Sequence, residues 1–287
     1  GGHPMTTPRP ARLRLVALVA MLVLAAGACG DDGDDGAAGG TSTTAGRGIP
    51  STEELGLVSE GKLIACTDVP YAPFEFEEGG RFDGIDIELV RAVAGRLGLT
   101  PEFRDVDFEA IFTALNAREC DLVASSVSIT EERMQNLDFS DGYFEINQSL
   151  LVRKGDEATL DDLDKLAGRT IGVQSETTGA AFARENATGA TIREFTGADE
   201  LFSALKALQV DAVLQDLPVN AYHAQTTGET VVAKVFTEGD KEQYGFAMRK
   251  GSTALKAAID DALAQVKADD TYPTILRRFL GDTTGAI

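Results

Sequence analysis

The sequence predicts an α/β protein built from two lobes. Strand and helix patterns alternate along residues 62–126, and the strands are apolar, which is typical of a parallel sheet covered by helices. The alternation begins again after residue 153 and continues to about residue 236. Beyond residue 244 there are one strand and two helices without a sheet of their own. We therefore expect the chain to leave the first lobe, build the second and return.

The elements of the first lobe follow from the spacing of apolar residues. Leu89, Val90, Val93 and Leu97 recur at helical spacing and are expected on one face of a helix. The predicted strands are 62–67, 102–106 and 121–126, and the predicted helices are 86–97 and 108–117.

The second lobe and the returning segment are predicted in the same way. The helices are 161–166, 178–185, 199–208 and 217–225, the strands are 170–173, 191–195, 211–214 and 231–236, and the returning segment contains strand 244–249 and helices 253–268 and 272–280. This predicts lobe 1 as residues 53–151 plus 245–287, and lobe 2 as residues 152–244. Two crossing strands would form a hinge, and the cleft between the lobes is the natural place for a ligand.

The N-terminus has the pattern of an export signal. Arg9, Arg12 and Arg14 precede an apolar run that closes on small residues, which predicts a signal peptide over residues 1–28. The run is shorter than the ~20 residues that a membrane-spanning helix needs. Residues 1–4 lie upstream of Met5 and are interpreted as an added or overlong start.

Residues 26–29, Ala-Gly-Ala-Cys, resemble the lipobox of bacterial lipoproteins, in which the cysteine becomes the acylated N-terminus. Ala26 stands where a larger aliphatic residue is usual, and the alternative is plain secretion with an incidental cysteine. Residues 30–48 contain no Leu, Ile, Val or aromatic residue to bury, so we expect residues 29–52 to be a lipidated Cys29 followed by a flexible tether.

The charge and the residue types exclude several functions. The formal net charge is −20, and removal of the signal peptide would make it three units more negative, so nucleic acid and anionic lipid are poor partners. His3 and His223 are the only histidines, no zinc-like cluster is present, and no glycine loop could cradle a phosphate. We therefore expect no metal and no cofactor.

Cys66 and Cys120 could form a disulfide, because the chain carries an export signal. Cys66 lies late in one predicted strand, however, and Cys120 begins another. If the two strands are parallel neighbours, the two Cα atoms would be well beyond the ~7 Å that a disulfide tolerates. We therefore favour two buried thiols over a disulfide.

The ends of two predicted strands carry the candidate site. The strand 120–124 leads into several hydroxyls, including Thr130, and then into Arg133; hydroxyls, free backbone N–H groups and a guanidinium together suit a small carboxylate. Thr130 as N-cap would place Arg133 in the first turn of a helix. The strand 210–214 ends at Asp216, a partner for an ammonium group. One site for each charge suggests an amino acid.

Each of these residues has a plainer interpretation. Arg133 could be a surface arginine paired with Glu131 or Glu132, and the serines could serve ordinary turns. Asp216 could cap the helix that begins at Leu217, although a carboxylate has two oxygens and could do both.

Five motifs in order resemble the polar amino acid binding proteins of bacterial ABC importers, extracellular solute-binding family 3. They are residues 68–76 (DVPYAPFEF), 82–86 (FDGID), 125–133 (SSVSITEER), 138–143 (DFSDGY) and 172–178 (GVQSETT). The resemblance covers about residues 60–282. It implies the two-lobed periplasmic-binding, or Venus flytrap, fold.

The resemblance implies how the α-carboxylate and the α-ammonium are held. Arg133 would grip the carboxylate, with Ser128 contributing its N–H and hydroxyl and the amides of Thr177 and Thr178 closing from the second lobe. The ammonium would be held by Asp216 and by the carbonyl of Ser126.

The resemblance also implies which residues surround the ligand side chain. The positions concerned are Tyr71 and Phe108 as sandwiching rings, Ser125 and Asp68 at the far end, and Gln174, where a glutamine-type binder can carry lysine. Either ring could instead belong to the core. Glu75 and Glu176 add acid nearby, so we expect arginine or lysine as ligand and glutamine next. Glu176 stands where the family usually has glycine.

The resulting hypothesis is a receptor on the outer face of the cytoplasmic membrane, or in the periplasm. It would be monomeric, touch the membrane only through its lipid, and deliver a free L-amino acid to an ABC permease. One alternative is a dehydratase-like enzyme on the same fold, with Glu75 or Glu176 as general acid. Another is a sensory receptor that serves a separate kinase.

Overall fold

The computed structural model describes residues 51–237 and 241–281. The predicted signal peptide, Cys29 and the tether up to residue 50 lie outside the described residues. The described chain forms two lobes, each with a five-stranded sheet, and the prediction of a two-lobed α/β fold is confirmed.

The first sheet has the order β4-β1-β5-β14-β6. Its strands are β1 (Lys62–Thr67), β4 (Thr100–Asp105), β5 (Leu122–Val123), β6 (Leu137–Phe139) and β14 (Ala247–Arg249). The other elements of this lobe are α1 (Thr52–Leu55), the hairpin β2 (Phe76–Glu78) and β3 (Arg81–Asp83), α2 (Ile85–Arg96), α3 (Phe108–Asn116), α4 (Glu131–Asn136), α8 (Thr253–Ala268) and α9 (Thr271–Leu280). The strand β14 lies between β5 and β6, so the returning chain completes the first sheet.

The second sheet has the order β10-β9-β11-β8-β12. Its strands are β8 (Gln148–Arg153), β9 (Thr170–Gln174), β10 (Thr191–Phe195), β11 (Ala212–Asp216) and β12 (Thr230–Val235). The helices are α5 (Thr178–Asn186), α6 (Ala198–Lys206) and α7 (Leu217–Thr227), with a 3₁₀ helix over Leu163–Leu166.

Two strands cross between the lobes. β7 (Phe144–Ile146) and β13 (Glu242–Tyr244) pair antiparallel as a two-stranded ribbon, which we call the hinge ribbon. The second sheet begins at Gln148, directly after the ribbon and four residues before the predicted boundary at 152. Composition does not change across residues 144–153, so the earlier start could not be predicted from the sequence.

Both sheets are mixed, whereas the sequence predicted parallel sheets. β1 runs parallel to β4 and β5, but β14 is antiparallel to β5 and β6. In the second sheet, β8 is antiparallel to β11 and β12. The antiparallel strands are those that adjoin the hinge ribbon, because a chain that enters and leaves a lobe through one ribbon runs in both directions.

Each lobe has its own apolar interior. In the first lobe, α2 and α8 bury Leu89, Val93 and Ile259 against β1 and its neighbours. In the second, Ile171 and Leu214 of the sheet pack with residues of α5. No helix among residues 51–237 and 241–281 is both long and apolar enough to cross a bilayer.

Cys66 and Cys120 form a disulfide with their Cα atoms 5.7 Å apart, so the expectation of two thiols is wrong. β1 and β5 are parallel neighbours, as expected, and Cys66 lies opposite Val123. Cys120, however, comes before the first paired residue of β5, in the turn that leaves α3. Its position is therefore not set by the spacing of the strand ladder.

Replacing both cysteines by alanine should lower the free energy of unfolding by about 2–4 kcal/mol, because the bridge closes a loop of 54 residues in the unfolded chain. Urea unfolding of Cys66→Ala/Cys120→Ala beside the wild type measures the loss. Wild-type protein treated with a reductant should approach the variant. An unchanged unfolding midpoint would show that the bridge adds no stability.

Candidate functional site

Polar residues lie at the carboxyl ends of the strands that face the cleft. Asp68 follows β1 and Ser125 follows β5 in the first lobe, while Gln174 ends β9 and Asp216 ends β11 in the second. Ligands of open α/β sheets bind outside the carboxyl ends of the strands, where loops and helix starts leave polar groups free. The two lobes therefore present these ends to one shared space.

A small cavity occupies this space. The structure brings together all eleven residues that the sequence predicted as ligand contacts. The lining consists of Asp68, Tyr71, Phe108, Ser125, Ser126, Ser128, Arg133, Gln174, Thr177, Thr178 and Asp216, together with Glu75. Arg133 and Asp216 thus face one cavity from opposite lobes.

A larger groove lies between α6 and α7, where Phe202 stacks on His223 at 3.9 Å between ring centroids. Its two cations already have partners, because Lys206 pairs with Glu229 and Arg153 pairs with Asp156. We therefore place the candidate site in the smaller cavity.

Arg133 is held at the start of a short helix. Thr130 is the N-cap of α4, as predicted, and its hydroxyl accepts from the backbone N–H of Arg133 at 3.2 Å. The guanidinium donates to the carbonyls of Ser128 at 2.9 Å and Glu176 at 3.0 Å. Its carbon lies 5.6 Å from the ring centre of Phe108, so the ring supports the cation.

No ion pair joins Arg133 to Glu131 or Glu132 in the described part of the chain, so the plain surface interpretation does not hold. Burial lowers the pKa of Arg133, while nearby acids, Glu242 first, raise it. An arginine remains protonated under such shifts, so the cavity keeps a positive charge.

Glu176 has a backbone conformation that favours glycine. Its φ is +60°, in the left-handed region that costs a residue with a Cβ about 1–2 kcal/mol. Its contact with Arg133 uses the backbone carbonyl, which any residue can supply. The side chain of Glu176 is therefore not needed for that contact.

The Glu176→Gly variant should keep ligand affinity within about threefold of the wild type, or about 0.7 kcal/mol, because the carbonyl contact survives. Titration calorimetry with L-arginine provides the measurement. A loss larger than tenfold would show that the Glu176 side chain, rather than its backbone, serves the site.

Asp216 directs its carboxylate into the cavity. It occupies the N-cap position of α7, but its side chain makes no capping hydrogen bond. Oδ1 accepts from Gln148 at 2.6 Å, and Oδ2 accepts from Tyr71 at 2.8 Å and Tyr244 at 2.5 Å. Burial first and the charge of Glu242 second raise the pKa of Asp216 to about 6. Asp216 is thus the N-cap residue of α7 by position, but its side chain does not cap the helix.

Two further carboxylates lie at another part of the cavity. Asp68 accepts from the amide of Gln174 at 2.6 Å, and Glu75 accepts from the hydroxyls of Ser125 at 3.1 Å and Ser126 at 3.3 Å. Burial raises the pKa of Asp68 to about 7. Burial and the nearby Asp86 raise the pKa of Glu75 well above its ordinary value. A cation placed here would lower both pKa values.

The two aromatic residues line the cavity and also belong to the apolar interior. Tyr71 and Phe108 are each only 7% exposed and pack within hydrophobic clusters of the first lobe. The two interpretations offered by the sequence are thus compatible. Tyr71 adds a hydroxyl that reaches Asp216 of the other lobe.

The two threonines form the start of α5. Thr177 is its N-cap, and its hydroxyl accepts from the N–H of Ala180 at 3.1 Å and donates to the carbonyl of Gln174 at 2.8 Å. Thr178 is the first helical residue and contacts Gln148 at 3.4 Å. Both therefore place the first turn of the helix against the cavity.

Three side chains beside the site were not found from the sequence. Gln148 and Tyr244 donate to Asp216, and Tyr143 donates to Asp86 at 2.6 Å. Gln148 follows the hinge ribbon at the start of β8, and Tyr244 is the last residue of β13. That Gln148 reaches the site follows from the strand pairing, which places it opposite Asp216.

Residues 63–282 match the family model described as bacterial extracellular solute-binding proteins, family 3, and the chain belongs to this family. The L-cystine-binding protein TcyJ of Escherichia coli K12 is 27% identical over 244 residues, which cover 83% of this chain and 91% of the relative. The lysine/arginine/ornithine-binding periplasmic protein of the same organism is 30% identical over 248 residues, with 83% and 91% covered.

Two solved structures share the fold. An ancestral arginine-binding protein bound to arginine has a TM-score of 0.73 and 34% identity, covering 77% of this chain and 99% of its own. The ancestral amino acid-binding protein AncCDT-1, described as a precursor of cyclohexadienyl dehydratase, has a TM-score of 0.70 and 34% identity, with 76% and 95% covered.

Proposed function

We propose that the chain is the substrate-binding protein of an ABC importer and binds one free L-amino acid, arginine or lysine in preference to glutamine. The observation that carries this proposal is the juxtaposition of Arg133 from one lobe with Asp216 from the other in a single cavity. A zwitterion needs partners for both charges, and neither lobe alone offers both. Ligand binding should therefore stabilise the closed form.

The preference for a cationic side chain rests on the charges around the cavity. Asp68, Glu75 and Asp216 line it, against one cation, Arg133. An amino acid with a neutral side chain brings no net charge. Arginine or lysine brings one positive charge to the end where Asp68 and Glu75 lie. The arginine-bound and lysine/arginine/ornithine-binding relatives support the same preference.

The individual contacts follow from the same placement. Arg133, Ser128 and the amides of Thr177 and Thr178 hold the α-carboxylate, and Asp216 with the carbonyl of Ser126 holds the ammonium. The ligand side chain lies among Tyr71, Phe108, Asp68, Ser125 and Gln174.

The attachment and location of the protein are part of the proposal. Residues 1–28 direct export, Cys29 carries the lipid, and residues 29–52 tether a monomer outside the cytoplasmic membrane near its permease. The Cys29→Ala variant should appear in the soluble fraction of the producing cells, whereas the wild type should sediment with membranes.

A thermal-shift screen over the twenty amino acids, with L-cystine added because of the relative that binds it, tests the ligand. At 100 times its dissociation constant a ligand adds ~2.7 kcal/mol of stability. We expect arginine and lysine to give the largest shifts, with glutamine smaller. Tight binding of glutamine or cystine without arginine would reverse the proposed specificity.

A dehydratase-like enzyme is the second candidate, because the raised pKa of Glu75 would suit a general acid. The structural relative AncCDT-1 is itself named an amino acid-binding protein, which favours binding over catalysis. Incubation of the purified protein with a prephenate-like compound separates the two. Turnover would identify an enzyme, and its absence with binding of arginine would leave the receptor.

A further inference from the structure

The amide of Gln148 is shared by two carboxylates. Its nitrogen donates to Asp216 Oδ1 at 2.6 Å and to Glu242 Oε1 at 3.0 Å. Gln148 is the first residue of β8, and Glu242 is the first residue of β13, in the hinge ribbon. An amide nitrogen carries two hydrogens, so two acceptors can use both.

The orientation of this amide depends on both acids. A turned amide would point its carbonyl oxygen at two carboxylates, which repel it. Gly179 of α5 packs against the oxygen of the same amide. A Cβ at position 179 would lie 3.0 Å from Gln148 Oε1. The amide is thus confined between α5 and the pair Asp216 and Glu242.

Glu242 faces the site without lining the inner cavity. It lines an outer cavity at the cleft, together with Arg133 and the first residues of α5. The other charged residues there are Glu132, Glu176, Arg184 and Glu185. Its Oε2 is buried and has no hydrogen-bond partner in the described residues. Its charge raises the pKa of both Asp216 and Arg133.

We propose that Glu242 is a positioning residue for the ammonium site, which orients the Gln148 amide towards Asp216 and so couples the hinge ribbon to ligand binding. This inference rests on the proposed amino acid binding. Asp216 also receives Tyr244 from the same strand as Glu242, so β13 orients the carboxylate through both of its oxygens. A change in the hinge ribbon therefore alters the group that meets the ligand ammonium.

Two variants separate the hydrogen bond from the charge. Glu242→Gln keeps an acceptor for Gln148 and removes the charge, so L-arginine affinity at pH 7.5 should stay within about threefold of wild type. Glu242→Ala removes the acceptor as well, and affinity should fall about tenfold. The control Glu145→Ala, on an exposed residue of the partner strand β7, should bind as the wild type does.

A second measurement does not depend on ligand. Carboxyl ¹³C NMR titration of Asp216 in the unliganded protein should give a higher pKa in Glu242→Ala than in Glu242→Gln. Both variants lack the charge of Glu242, but only Glu242→Ala frees the Gln148 amide and so weakens its hydrogen bond to Asp216. Equal Asp216 pKa values in the two variants, or wild-type affinity in Glu242→Ala, would overturn the inference. If the wild type binds none of the amino acids, the proposed function fails, and the titration still decides the role of Glu242.

Discussion

The Arg133→Ala variant should lose about thirty-fold to several thousand-fold of its affinity for L-arginine. Truncating one partner of a buried charge pair costs about 2–5 kcal/mol, at ~1.4 kcal/mol per decade of affinity. Arg133 is the single cation that lines the inner cavity in the described chain. Its removal would leave the ligand carboxylate in a buried cavity without a cation to meet it.

Titration calorimetry of Arg133→Ala provides the measurement, and two variants give its controls. Arg184 lines only the outer cavity and is paired with Glu194, so Arg184→Ala should bind normally. Arg133→Lys keeps the charge but cannot reproduce the two-pronged donor geometry of a guanidinium. Its affinity for L-arginine should therefore lie between that of Arg133→Ala and that of the wild type. Binding of Arg133→Ala within threefold of the wild type would place the carboxylate elsewhere.

The sequence located the site because its residues stand beside the ends of apolar strands. The hydroxyls after β5, Gln174 at the end of β9 and Asp216 at the end of β11 can each be placed without knowing the sheet order. Parallel strands of a lobe bring their carboxyl ends to one edge. The edges of the two sheets could then be predicted to face each other, because the chain was expected to return from the second lobe to the first.

The contacts that orient those residues depend on pairing that a single sequence does not reveal. Gln148 reaches Asp216 because β8 and β11 are antiparallel neighbours, although 68 residues separate them. Tyr244 reaches it from the returning strand. The disulfide was missed for a related reason, since the turn before β5 moves Cys120 off the strand ladder.

The acids of the cleft share one physical cause for their raised pKa values. Asp68, Asp86 and Asp216 each lose solvent on burial, and for each this is the largest contribution. Their hydrogen bonds only partly offset it. A site with several buried carboxylates of raised pKa therefore holds protons that a cationic ligand must displace, which makes affinity depend on pH.

The Asp216→Asn variant should lose affinity for L-arginine by a factor similar to that of Arg133→Ala at pH 7.5, since it removes the charge that meets the ammonium. The difference from wild type should shrink as pH falls. Because the folded-state pKa of Asp216 is about 6, against 3.8 ordinarily, the carboxyl takes up a proton below pH 6 and resembles asparagine in charge.

The sign of the effect on folding is opposite to that on binding. A carboxyl with a raised pKa in the folded state stabilises the fold below its ordinary pKa of 3.8, and this contribution is lost as pH rises through about 6. Ligand binding needs the ionised form, so it strengthens over the same range. Binding and unfolding measured at several pH values should therefore move in opposite directions for this group.

Calorimetric dissociation constants of wild type and Asp216→Asn from pH 5 to 8 test this point. The ratio of the two constants should have nearly its full value above pH 7 and be about tenfold smaller at pH 5, because a carboxyl with a pKa of about 6 is then only about one-tenth ionised. Taking the ratio removes the titration of Asp68 and Glu75, because both proteins carry them. Asp164 is exposed, so the dissociation constant of the control variant Asp164→Asn should equal that of the wild type at every pH. A ratio that stays constant over the range would mean that Asp216 does not meet the ligand ammonium.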